Sequence, residues 1–176
     1  MAVHSRQGAP GWAALAALTD PAVVREALAA GVGATITTML GGKTDELHGP
    51  PLPVTAYVRV LSDGTFVNQG PQGRGLRVSV GRTALLVSGG VEIVVTERRH
   101  APNDPEIFRS VGIEPTARRV LVVKSRGHFR AAYEPFAAEI IEVDAPGVAS
   151  PDLSRFTYTQ IPRPAWPFDT EMEWPT

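Results

Sequence analysis

Two polar strings in this sequence hold the residue types that bind or activate a ligand. The first is Lys124-Ser125-Arg126-Gly127-His128-Phe129-Arg130. Its cations can grip a carboxylate, and its hydroxyl and imidazole can polarise a carbonyl or move a proton. The second is Gly41-Gly42-Lys43-Thr44-Asp45. Two adjacent glycines let a backbone approach a ligand closely, and Lys43 adds a charge beside them. His128 is the strongest single candidate for a polar site role. The plainer alternatives stand beside this one: Lys124 and Arg130 solvated, Ser125 capping a helix, His128 bonded to a backbone carbonyl, and the glycines forming a tight turn.

Stricter motifs fail. A Walker loop needs a glycine where this chain has Thr37, and a dinucleotide fingerprint starting at Gly31 needs glycine or alanine where it has Ile36. The histidines are His4, His48, His100 and His128, and none forms the helical His-Glu-x-x-His pair of zinc peptidases. Asp45 and His48 are three apart in a loop, where that spacing imposes no shared face, so no metal site is expected in this chain. A Ser125, His128, Asp144 triad can be written down, but no nucleophile-elbow glycines flank Ser125. No catalytic residue is assigned.

The elements that must position these strings follow from periodicity. Residues 120–124 are apolar and β-branched and predict a buried strand. Phe129, Ala132, Tyr133 and Phe136 then fall at helical spacing over residues 125–138, and residues 139–143 predict a second strand, ended by Asp144-Ala145-Pro146-Gly147. Strand, helix and strand with short joins predict a βαβ unit with parallel strands, whose ligand side lies beyond the strands' carboxyl ends. Residues 12–40 suggest another such unit. Residues 12–18 read as either helix or strand, Asp20-Pro21 starts a helix ended by Gly31, and residues 34–40 are a strand. If the strands before Gly41 and Lys124 are parallel neighbours, both loops share one edge. Residues 54–96 predict an antiparallel meander of about five strands, with Val54, Ala56, Val58 and Val60 on one face and a hairpin turn at Ser62-Asp63-Gly64. A short helix follows Asp104-Pro105. The expected fold is mixed α/β, a parallel βαβ core carrying an antiparallel insertion. Residues 1–19 form a lead-in segment, loose over 1–11, 20–150 the domain, and 151–176 a proline-rich tail whose aromatics pack on the domain or on a partner.

Composition bounds the function. The length of 176 residues suits one domain with a sizeable core. A net charge of −1 and 20% charged residues make nucleic acid an unexpected partner. No stretch reaches the ~20 apolar residues of a membrane span. The apolar run after Trp12 is too short for a signal peptide, so a cytoplasmic protein is expected. Absence of cysteine excludes disulfides and thiolate metal sites.

Four stretches bear a closer likeness. They are GGKTDELHGPPLPVTAYV (41–58), GRTALLVSGGVEIVVTERRH (81–100), KSRGHFRAAYEPFAAEIIEVDAPG (124–147) and SPDLSRF (150–156). Together they resemble the C-terminal domain of the MlrC-type (microcystin-degradation protein C) metallopeptidases, over residues 20–169. The resemblance implies a zinc-dependent hydrolase of small linear peptides whose metal ligands lie in a larger N-terminal domain. No cofactor is then expected in this chain, and zinc is expected in a metal-bearing domain or companion chain. The resemblance matches Gly41, Gly42, Lys43 and Asp45 to one family string, and Lys124, Ser125, His128, Phe129 and Arg130 to another. These residues are expected to bind substrate across an interdomain cleft. The alternative function is a non-catalytic module that binds a partner or self-associates into a homo-oligomer.

Overall fold

The computed structural model describes residues 2–5, 12–145, 147, 150 and 152–171, with backbone alone for the first four. The described residues form ten strands and three α-helices. The strands are β1 (Ala2–Ser5), β2 (Ala13–Thr19), β3 (Thr35–Leu40), β4 (Leu52–Ser62), β5 (Thr65–Val67), β6 (Arg77–Ser79), β7 (Thr83–Ser88), β8 (Val91–Thr96), β9 (Val120–Val123) and β10 (Ala137–Ile141). The helices are α1 (Pro21–Ala30), α2 (Glu106–Arg109) and α3 (Arg130–Tyr133). The fold is mixed α+β and dominated by one sheet. Eight strands line up as β10-β1-β9-β2-β8-β7-β4-β3, and β5 pairs with β6 as a separate ribbon.

Alternation along the central strands builds two cores, one on each face of the sheet. Ala84, Leu86, Ile93 and Val95 face α1, whose Val23, Val24 and Ala27 fill that side. Leu85 and Val94 face the other way, toward α2, α3 and the β5–β6 ribbon. Phe108, Phe129 and Tyr133 are fully buried there. Their rings pack edge-on or tilted, at centroid distances of 6.4 and 6.5 Å, a favourable geometry for aromatic quadrupoles. A buried polar clamp closes the lower end of the sheet. Glu92 on β8 accepts from Arg59 at 2.7 Å and from Arg118 at 2.5 Å. A carboxylate this deep needs both partners to offset its desolvation.

The parallel content is centred on β2, which pairs in parallel with both β8 and β9; the remaining ladders are antiparallel. The expected βαβ unit at residues 120–143 exists in split form. β9 and β10 point the same way, but β1 lies between them and runs antiparallel to both. Its helix is also shorter than the periodicity suggests: only residues 130–133 are α-helical. The expected loose lead-in is corrected here, since residues 2–5 supply a strand inside the sheet. Residues 6–11 lie outside the described set.

The second expected βαβ unit, at residues 12–40, does not form. β3 sits at the far edge and, followed neighbour by neighbour, runs opposite to β2. Residues 13–19 resolve as strand: their small apolar side chains fit a position hemmed in by β8, β9 and both cores. The simple meander is corrected as well. β4 turns at Gly64, but its antiparallel partners are β3 and β7, and β5 peels off to pair with β6. Gly64 has φ +68° and a Cβ there would sit 1.9 Å from the Gly81 carbonyl, so only glycine fits the turn. A register shift between Val58 and Val60 reverses the facing of β4. Val54, Ala56 and Val58 therefore pack toward α1, whereas Val60 joins the opposite core.

The tail packs chiefly through its own aromatics. Tyr158 stacks on Phe156 and Phe168, and Arg163 pairs with Asp169 to close a turn. Trp166 stays 64% exposed at its tip. Trp174 and Pro175 lie outside the described residues. No described helix is long and apolar enough to cross a membrane.

Candidate functional site

Asp20 organises the first loop. It follows β2 directly, and its backbone N–H donates to the Thr96 carbonyl at the end of β8. One carboxylate oxygen caps α1 by accepting from the Val23 N–H at 3.2 Å. The other accepts from the Gly41 N–H at 3.0 Å and from Lys43 Nζ at 2.8 Å. The side chain is 2% exposed, so three charge-assisted bonds offset the cost of burying it. α1 leaves this point, packs against β3, β4, β7 and β8, and β3 returns alongside it. The sheet therefore curls around α1 and delivers residues 41–43 back to the end of β2. The two loops were expected to meet as neighbours of parallel strands. They are instead anchored on one strand by another route, since the Lys124 N–H donates to the Ala16 carbonyl in β2.

Within residues 41–51, Gly42 has φ +59°, and a Cβ there would lie 2.5 Å from the backbone at Pro50 and Pro51. The glycine is needed to fold the loop on itself. Asp45 caps a short 3-10 turn by accepting from the N–H groups of Leu47 and His48. It also meets His48 Nδ1 at 2.6 Å, and this bond to the imidazole is the main reason its carboxyl is held below the usual range. The His48 ring edge faces Gly147, where a Cβ would come within 2.9 Å of Nε2. This loop thus touches the segment after β10.

The second string follows β9. Lys124 is exposed and makes no ion pair among the described residues. Ser125 Oγ donates to Asn103 Oδ1 at 2.7 Å, and the Gln72 side-chain amide donates to His128 Nδ1 at 3.2 Å. Asp144 pairs with Arg155 at 2.7 Å. The three members of the notional triad therefore have three separate partners, and no Ser125–His128–Asp144 relay is assembled. Phe129 is fully buried against Tyr133 and offers no surface to a ligand. Arg130 lies over the Phe129 ring, 5.5 Å from its centroid, and pairs with Glu142 at 2.6 Å. It also lines a shallow groove of about 200 Å³ beside β10, with Glu134 and residues 137–140.

Sequence reasoning missed several partners. Gln72 and Asn103 hold His128 and Ser125. Asp104, 4% exposed, accepts from the Gly70 N–H at 2.7 Å and the Glu106 N–H at 3.0 Å. Asp20 was legible as a helix cap from Asp20-Pro21, but its second carboxylate oxygen carries no sequence signal. Nothing in the spacing of Gln72 or Asn103 marks them either, because each is brought in by tertiary structure.

The donor set does not fit a zinc ion. Among the described residues no three His, Asp or Glu side chains gather to hold a metal. Asp45 and His48 offer two donors, and Asp45 already caps a turn.

Comparison with known proteins agrees with this fold. Residues 3–160 match the family described as MlrC C-terminus. Microcystinase C of Sphingomonas sp is 31% identical over 150 residues, which is 85% of this chain and 28% of that protein. The crystal structure of a provisionally assigned metallopeptidase from Mesorhizobium sp. BNC1 superposes with a TM-score of 0.83 at 30% identity, covering 94% of this chain and 33% of that one. The chain thus spans a third or less of the length of these relatives. With the match extending over nearly its whole length, the chain belongs to the MlrC C-terminus family.

Proposed function

We propose that this chain is the substrate-binding and domain-closing module of an MlrC-type metallopeptidase, acting on small linear peptides. The metal comes from another domain, either a companion chain or a part of the protein beyond this sequence. One observation carries the reading. The first loop is held by Asp20, directly after β2, and the second by Ala16 within β2, so both lie by the carboxyl-terminal half of that strand. Lys43 is committed to Asp20 and serves to order its loop. That leaves Lys124, and His128 through the ring nitrogen not held by Gln72, to hold a peptide carboxylate or polarise its carbonyl, with Arg130 next in the string. Gly41 and Gly42 shape the approach, and Asp45 with Ser125 fixes the loops.

Reconstitution tests this. The chain is mixed with the metal-bearing N-terminal domain of a longer family member and zinc, and short linear peptides are assayed. Hydrolysis that neither component gives alone is expected. Lys124→Gln and His128→Gln are expected to lower turnover by roughly tenfold or more each. No complex and no hydrolysis would overturn the proposal.

A second reading has its own observation. Met39 and Tyr57, on the outer face of paired strands β3 and β4, are each at least 45% exposed and flank the Thr37–Thr55 pair. Exposed apolar side chains on an edge strand and its neighbour suit self-association of a non-catalytic module. Sedimentation at several concentrations decides: a mass that stays monomeric argues against it.

A further inference from the structure

Three loops at this end of the sheet are tied to one another in a closed triangle. Gly70 bonds to Asp104, Gln72 to His128, and Ser125 to Asn103. Residues 68–76, 98–104 and 124–130 are thereby each linked to both of the others. The triangle carries Arg74, Arg99, Lys124 and Arg126. All four are exposed, and none makes an ion pair among the described residues. The nearby carboxylates are already engaged. Asp104 is buried on two backbone N–H groups, and Glu97, next to Arg98, is paired with Arg82 at 2.5 Å. A chain whose net charge is −1 therefore gathers unneutralised positive charge on one cross-braced set of loops.

Unpaired cations repel, and holding them together costs stability unless an anion joins them. Most of these are arginines, whose planar fork suits bidentate bonds to carboxylate or phosphate oxygens. The cross-links fix the loop backbones in advance, which lowers the ordering cost of binding. We propose that this triangle is a binding site for a small ligand bearing two or more anionic oxygen groups, carboxylate or phosphate. Arg74, Arg99 and Arg126 are its added contacts, beyond Lys124 and His128. The site rests on the same rim as the function proposed above, but it needs no second polypeptide.

Calorimetric titration of the intact chain tests it, with citrate, pyrophosphate and acetate as probes at one fixed ionic strength. Saturable one-to-one binding of citrate or pyrophosphate is expected, at least about tenfold tighter than acetate. Whichever of the two binds tighter identifies a carboxylate or a phosphate source. Arg99→Gln and Lys124→Gln are each expected to weaken that binding roughly tenfold. Arg25→Gln and Arg119→Gln, which remove exposed cations on α1 and at the other end of β9, are expected to leave it unchanged. No saturable binding, or equal weakening by all four substitutions, would overturn the site. Binding by the isolated chain without hydrolysis in the reconstituted mixture would sink the peptidase reading and leave this one standing.

Discussion

At the scale of single residues, burial decides more than residue type does. Phe129 and His128 are adjacent in a string rich in polar groups, yet one is core and the other is exposed. Tyr133 was legible as apolar helix face, and its ring does fill the core. Its hydroxyl, however, is buried with no hydrogen-bond partner among the described residues, and burial pushes the phenol well above its usual range. Tyr133→Phe removes that orphan group while keeping the ring. It is expected to raise stability by about 1 kcal/mol in urea unfolding; a loss of similar size would mean the hydroxyl has a partner. His100 offers a pH test. Burial lowers its pKa from the ordinary 6.5, and its ring lies edge-on to Phe66. The folded chain therefore binds fewer protons at this group than the unfolded chain. Its contribution is intact above pH 6.5 and declines as pH falls through the lowered value. Urea midpoints measured downward from pH 7.5 are expected to fall less steeply in His100→Gln than in the parent. Identical slopes would remove His100 from the account.

At the scale of elements, sequence patterns located most strands and misjudged some partners. The strand starting at Val120, the β7–β8 hairpin and the Asp20-Pro21 helix start were legible because each depends on local periodicity or a cap. The partners of β3, β5 and β1 were not, because strand order is set by long-range packing that a local pattern does not encode. The β4 register shift shows why. VTAYVRVL alternates without a break in sequence, yet one irregularity at Arg59 sends Val60 to the opposite core. Both polar loops were legible from composition alone. Their braces at Asp20, Gln72 and Asn103 were not, since each bond spans 21 or more positions. Net charge likewise gave no sign of the exposed cations on the three linked loops. The Asp20 clasp is the element-level prediction. Asp20→Ala removes the α1 cap and strips Lys43 and Gly41 of their acceptor. It is expected to cost roughly 2–4 kcal/mol. Amide exchange in residues 41–51 should speed up ahead of global unfolding. Unchanged exchange there would show that the loop is ordered by something else.

At the scale of the molecule, two cores pack on the two faces of one sheet, while the loop after β9 leaves Lys124 and Arg126 exposed and without ion-pair partners among the described residues. The relatives that share this fold are about three times as long, and one is named as a microcystinase. In the function proposed above these loops face a metal-bearing domain, and Lys124 and Arg126, without ion-pair partners among the described residues, are the groups that meet it or the substrate. The most direct test of this account is hydrogen exchange on the chain with and without the metal-bearing domain of a longer family member. Protection confined to residues 41–51, 68–76, 98–104 and 124–130 is the expected result. Protection of the outer face of β3 and β4, with those loops unaffected, would contradict it.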